Sequence, residues 1–510
     1  MKKLLNIISL VVIAVSYVAM TVCAIVFLIV NKEIISGFPF ICVLATLILL
    51  LPPVGSLLLY GKHAGKAGRI AGIVITAFAV AVAITCYAIL NVYFVFQPYV
   101  NTGLARRVFP YATFVYIAGI ILLVFVRKDS FLSIVLSLTI VCMGLLSGGW
   151  FLFQPDHEYH DVEQADYIFV GGEDGYSTYR IPSLSVIPKS ILSEKLSVDT
   201  TGDVLIALAE GRRNNADDEG SIDMVMKLSF DSGKTWSPLQ TVLCYSDKSG
   251  KFGNPTPIVD NATGDFHLIY ITATEDSDFR EYRLFDMVGR LKNDLSFAWS
   301  EPAEITFPGQ RIALCAGPGK GVCLSDGKLA FACYENYAED EAAAFLITSA
   351  DHGKTWTRSD IISKGNECDV IETTDGSLLF VCRMNDECSG LHLKQYQRFY
   401  RSTDGGLSWE EWNLSTPLRT PICQCSLGRY ENKIYLTHPD CCATRANLSL
   451  SISEDGKNFR TLRLYDGPSG YSSAITTSDG DVCVLAEVGR FNYYENLVFI
   501  KVDRSVVETI

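Results

Sequence analysis

Arg180 stands in the stretch STYRIPSL, residues 177–184. Its guanidinium is permanently charged and carries a planar fork of N–H donors that fits a carboxylate or a phosphate. Pro182 fixes its own φ and biases Ile181 toward extended backbone, so the sequence predicts a cation held on a stiff segment. Such a group can bind an anion; alone, it reads equally well as a salt-bridge partner. Four further stretches carry reactive types. LAEGRRNNADDEGSID (208–223) sets Asp217 and Asp218 close to Arg212 and Arg213. NECDVIETTDGSLLFVCR (366–383) opens near Glu367 and ends on Arg383. THPDCCATRANLSLS (437–451) contains Arg445, and DGPSGYSSAI (466–475) sets Tyr471 among glycines and serines. Taken singly, the acids read as a solvated turn and the tyrosine as a rim or packing residue. A metal centre is not expected. Cys423-x-Cys425 and Cys441-Cys442 lack CxxC pairs, and no two histidines stand at ligand spacing.

The segments between these residues repeat. TTGDVLIALAE (200–210), TGDFHLIYIT (263–272), SDGKLAFACY (325–334), TDGSLLFVCR (374–383), YENKIYLTHP (430–439) and SDGDVCVLAEV (478–488) share a polar turn followed by a short apolar strand. Their period of roughly 50–60 residues suits a four-stranded unit with loops. A second motif, Ser-x-Asp-x-Gly-x-Thr/Ser-Trp, interleaves with them at SFDSGKTW (229–236), SADHGKTW (349–356) and STDGGLSW (402–409), with a degenerate copy at 453–459. It reads as a structural turn: Asp bonds backbone N–H groups, Gly takes positive φ, and Trp anchors the turn to a core. The pattern predicts an all-β, six-bladed β-propeller over residues 154–510, whose loops at one end bring distant residues together.

Composition splits the chain. Residues 1–150 hold ten Lys/Arg and two acids, leaving 33 Lys/Arg and 54 Asp/Glu beyond, a net charge near −21. That acidity excludes nucleic acid as a partner of the larger part, since phosphate contacts need a basic face. Apolar runs near 4–30, 38–60, 70–96, 110–126 and 130–153 match the ~17–25 residues of a spanning helix. The sequence therefore predicts an α-helical multi-span membrane domain of about five helices over 1–153, with the lipid bilayer as a partner. Seven flanking Lys/Arg fall on one side and three on the other, which by the positive-inside rule places the larger domain outside the cytoplasm. Twelve cysteines in that domain permit disulfides, although several sit in strand-like runs where a buried thiol is as fitting.

The repeated turn is the Asp box, and with Arg-Ile-Pro it makes most of residues 166–500 resemble the sialidases, or neuraminidases. The resemblance implies a clamp of Arg180, Arg383 and Arg445 for the substrate carboxylate, with Arg212 as a further binding arginine. It implies Asp218 as acid/base, Asp217 being the alternative, and Tyr471 as nucleophile activated by Glu367. Sialidases depart from the usual two-carboxylate scheme of glycosidases. Sialic acid carries its carboxylate on the anomeric carbon, so a neutral phenol avoids the repulsion a carboxylate nucleophile would meet. Tyr179 stands where the family often has Phe, Arg213 is an added charge, and the run Asp440-Cys441-Cys442 has no family role.

The function implied is a retaining exo-α-sialidase, anchored in the membrane, acting on terminal α-linked sialic acid of glycoproteins, glycolipids or oligosaccharides, with no cofactor. The alternatives are a sialoglycan-binding propeller without catalysis and a trans-sialidase or anhydro-product variant. The pair Tyr471 and Glu367 separates them, because a binder needs neither.

Overall fold

The structure, a computed structural model, describes residues 157–510 apart from 219, 246–250, 274–281, 309–313, 339–340, 385–396, 416, 442–444, 491 and 510. These residues are all-β with two short helical stretches, Lys189–Leu196 and Arg504–Thr509. The sequence expectation of a six-bladed propeller preceded by an α-helical multi-span domain is corrected. No helix among the described residues is long and apolar enough to cross a membrane, and the apolar runs of 1–153 lie outside the described residues. Among the described residues the strands form five sheets rather than six.

The count differs for a local reason. Strand Arg460–Thr476 runs 17 residues, pairing with Ala446–Ser453 through its first half and with Val482–Val488 through its second. What the repeats predict as two separate sheets is therefore one seven-stranded sheet. Gln164–Val170 adds to its far edge beside Asn496–Val502, so the start of the described unit is tied to its end.

The other four sheets are antiparallel meanders that follow the repeat. The first holds Thr178–Ile187, Val204–Arg212, Ile222–Ser229 and Gln240–Leu243. The second is built on Lys251–Val259, Phe266–Ala273 and Arg283–Leu291, the third on Leu314–Ala316, Leu329–Ala338 and Glu341–Ser349, and the fourth on Cys368–Glu372, Leu378–Arg383 and Gln397–Ser402. Each of the six repeated segments contributes an interior strand, which explains its continuous apolar run: both faces are covered. Val204–Arg212 and Val482–Val488 are buried at every residue. Contacts pass from sheet to sheet in chain order and close where Thr178–Ile187 meets Arg460–Thr476, giving a propeller-like ring.

The Asp boxes lock neighbouring sheets together. In the first, Asp231 accepts from Thr235 N at 2.9 Å and Thr235 Oγ1 at 2.6 Å, and Ser229 Oγ takes Gly233 N–H at 2.8 Å. Gly233 sits at φ 90°, where a Cβ would come within 2.5 Å of Phe499. Trp236 packs edge-on against that same Phe499, 5.1 Å between centroids, and so joins the first sheet to the last. Trp356 and Trp409 meet Phe331 and Phe380 edge-on within their own sheets, and Trp356 also reaches His267 of the second sheet, 6.4 Å between centroids. Burying one such aromatic contributes roughly 1.5–3 kcal/mol, which is why the tryptophan is the invariant end of the three full copies. The ten described cysteines are free thiols; seven are buried, five of them on strands.

Candidate active site

The strand ends place the reactive residues. Arg180 lies on the innermost strand of the first sheet and Tyr471 on the long strand facing it. Arg212 and Arg383 end the interior strands Val204–Arg212 and Leu378–Arg383. Glu367 directly precedes Cys368–Glu372, and Arg445 directly precedes Ala446–Ser453. In a ring of sheets such ends converge, so residues up to about 290 apart in sequence reach one spot.

They meet around Tyr471, which is buried. Its hydroxyl donates to Glu367 Oε1 and accepts from Arg383 Nη1 at 2.8 Å. Arg383 Nη1 also pairs with Glu367 Oε2. The guanidinium carbons of Arg180 and Arg445 stand 5.3 and 5.1 Å from the Tyr471 ring centroid. Arg445 donates through Nε and Nη2 to Ile422 O at 3.1 and 3.0 Å. Asp218 pairs with Arg212 at 2.8 Å and with Arg180 at 3.2 Å. Asp217 turns instead to Asn215, 2.6 Å away. The structure thus brings all seven sequence-predicted residues into one constellation and distinguishes Asp218 from its neighbour.

Arg180 is held differently from the sequence expectation. Ile181 is not extended but sits at φ 54°, a costly region for a β-branched residue. The ladder slips there, between Arg180 and Ser183, so the strand bulges. Tertiary contacts outweigh the local bias of Pro182. Ile181 N–H donates to Glu487 Oε1 at 3.2 Å, and its side chain packs on Cys423 and Tyr471. Tyr179, the departure from the usual Phe, donates its hydroxyl to Glu173 O at 3.0 Å.

Two glutamates that sequence reasoning missed hold the arginines. Glu487 is fully buried and takes Arg180 Nε at 3.0 Å, Ile181 N–H, and Tyr471 N–H at 3.1 Å. Glu210 binds Arg212 Nε at 3.0 Å and Asn254 N at 3.0 Å. A signal existed: VLIALAE and VCVLAE are two repeats ending alike, and an acid closing an apolar strand requires a buried partner.

Charge distribution prepares the groups. Burial first, and Glu367 second, push the Tyr471 phenol well above its ordinary value, against the three arginines. It stays protonated at neutral pH. For Asp218, the protein around it opposes ionisation, but Arg212 and then Arg180 outweigh this and hold the carboxyl at about 2. The side chain nevertheless keeps 64% of its surface open to water, which screens that pull. A carboxyl depressed on folding stabilises above its unfolded value and loses that contribution as pH falls through the folded one. Asp218→Asn should therefore lower Tm relative to the parent at neutral pH, the gap narrowing between roughly pH 4 and pH 2. Calorimetry across that range checks it; a gap independent of pH contradicts the ion-pair account.

Comparison with known proteins identifies relatives of the whole fold. The model of the BNR repeat-like domain matches residues 203–484. A sialidase of Micromonospora viridifaciens is 27% identical over 358 residues, covering 64% of this chain and 52% of that protein. An exo-alpha-sialidase of Aspergillus fumigatus is 26% identical over 363 residues, covering 62% and 80%. The chain thus spans about half of the first relative's length. Among solved structures, the Hadza microbial sialidase Hz136 superposes with a TM-score of 0.57 at 23% identity, over 67% of this chain and 69% of that one. Trypanosoma rangeli sialidase in complex with 2,3-difluorosialic acid, a covalent intermediate, gives 0.52 at 20% identity, over 70% and 61%. These likenesses show a shared fold. With more than half of its length matched by the family model, the chain belongs to the BNR repeat-like domain family, and its relatives here are sialidases.

Proposed function

We propose that this protein is a retaining exo-α-sialidase whose nucleophile is Tyr471. The observation that carries the reading is the Tyr471 hydroxyl, bonded to Glu367 and Arg383 and flanked by Arg180 and Arg445. The names of the sequence relatives support the substrate class, a terminal sialic acid on a glycoprotein, glycolipid or oligosaccharide.

Three guanidiniums match one carboxylate attached to the reacting carbon. They offset the substrate's charge and keep the site cationic as the glycosidic bond breaks. Tyr471 Oη attacks the anomeric carbon while its proton passes to Glu367, so a poor phenol becomes a competent nucleophile only during attack. The bond to the leaving oxygen breaks and that oxygen takes a proton from Asp218. In the second half Asp218 removes a proton from water, the water oxygen displaces Tyr471, and Glu367 returns the proton to the phenol. Two inversions give net retention.

Asp218 must carry a proton to act first as an acid, yet Arg212 and Arg180 hold it ionised. A substrate carboxylate on Arg180 competes for one of those partners and so raises the carboxyl toward its working range.

The test uses the full chain with a fluorogenic α-sialoside, following product by NMR. Release of sialic acid as the α-anomer first is expected, with no cleavage of the matching glucuronide. A folded protein without turnover contradicts the reading, and β-anomer appearing first contradicts the tyrosine route.

A further inference from the structure

Two of the clamp's cations, Arg180 and Arg445, rest on one residue outside the seven. Tyr494 lies in the connection between strands Val482–Val488 and Asn496–Val502. Its ring is 3.9 Å from the guanidinium carbon of Arg180, a face-on cation–π distance. Its hydroxyl accepts from Arg445 Nη1 at 3.3 Å. Its own carbonyl accepts from Thr178 Oγ1 at 2.6 Å, two residues before Arg180 on the same strand. One side chain and its peptide therefore touch both outer arms and the strand that carries one of them.

The connection holding Tyr494 is braced. Tyr494 N–H donates to Asn492 Oδ1 at 3.0 Å, while Glu495 accepts from Asn492 N and from Arg490 N, each at 2.9 Å. Gly489 admits no side chain, since a Cβ there would lie 1.9 Å from Asn492 O. Tyr493 meets Tyr494 edge-on at 4.5 Å between centroids and lies 5.4 Å from Arg445. Both tyrosines are buried. A guanidinium stacked on an aromatic face keeps its edge donors free for a ligand, whereas one paired with an acid has already spent them. Arg180 needs this, because Glu487 engages only Nε and Asp218 only Nη1.

We propose that Tyr494 is a positioning residue that sets the spacing of Arg180 and Arg445 for a single carboxylate, through its ring on one and its hydroxyl on the other. The inference rests on the sialidase reading and adds a residue to it. Tyr494→Phe keeps the ring, the packing and the Thr178 bond, and deletes the hydroxyl that meets Arg445. A hydrogen bond to a charged group is worth enough to weaken the carboxylate about tenfold.

The experiment measures binding of free sialic acid and of its methyl ester to the full chain by calorimetry, together with kcat and KM on a fluorogenic sialoside. For Tyr494→Phe, acid affinity should fall about tenfold, the ester should be unchanged, and KM should rise far more than kcat falls. Tyr494→Leu should lose more acid affinity, again sparing the ester. A preference for acid over ester that Tyr494→Phe keeps in full overturns this inference alone, as does an equal loss of both ligands. A parent protein that binds neither ligand removes the sialidase reading and this inference with it.

Discussion

Tyr471→Phe is expected to lower kcat on the order of a thousandfold or more while sialic acid still binds. The substitution removes one oxygen and leaves the ring, so the faces that Arg180 and Arg445 approach remain. Arg383 and Glu367 still pair with each other, and the carboxylate clamp survives. What disappears is the hydroxyl that, in the proposed mechanism, forms the covalent bond and passes its proton to Glu367. Burial and Glu367 keep the phenol neutral at rest, so the parent's advantage is not a standing phenolate but a proton transfer timed to attack. Stopped-flow turnover and calorimetric binding together measure this. A fall in kcat below tenfold, or loss of binding in step with kcat, contradicts the assigned role.

The second large effect concerns Glu487. Glu487→Ala should cost about 3–5 kcal/mol of stability, since it strands a buried guanidinium. It should also cut kcat/KM by roughly a hundredfold, because it frees both Arg180 and the Tyr471 backbone from their shared anchor. The strain at Ile181 gives a further reason: its N–H loses the acceptor that holds it at positive φ. Glu487→Gln keeps an acceptor and the volume, and should recover most of the stability but less of the rate. Urea unfolding beside steady-state kinetics separates the two. Equal recovery of stability and rate by glutamine contradicts the need for charge at this position.

Much of the site was legible because its residues sit in local motifs. Arg-Ile-Pro marks Arg180, the NEC block carries Glu367 and Arg383 at its two ends, and the Asp boxes fix where turns must fall. What sequence could not supply is the partner across space. Glu487 and Tyr494 lie in stretches whose spacing says nothing of Arg180, more than 300 residues away. Ile181 shows a local rule overruled: Pro182 favours extended backbone, and one buried carboxylate outweighs it. Sheet number failed for the opposite reason. The repeats read as separate units, but the single strand Arg460–Thr476 passes, through register shifts, from one set of partners to the next. The acidic net charge gives no hint of the local cluster of Arg180, Arg383 and Arg445 around Tyr471.

The covalent route through Tyr471 is the centre of this account, and trapping tests it directly. The full chain would be inactivated with a 2,3-difluorosialic acid, digested, and mapped by mass spectrometry. The account predicts one glycosyl adduct on the peptide containing Tyr471, absent from Tyr471→Phe. An adduct on Glu367 or Asp218, or inactivation that leaves Tyr471 unmodified, would contradict it.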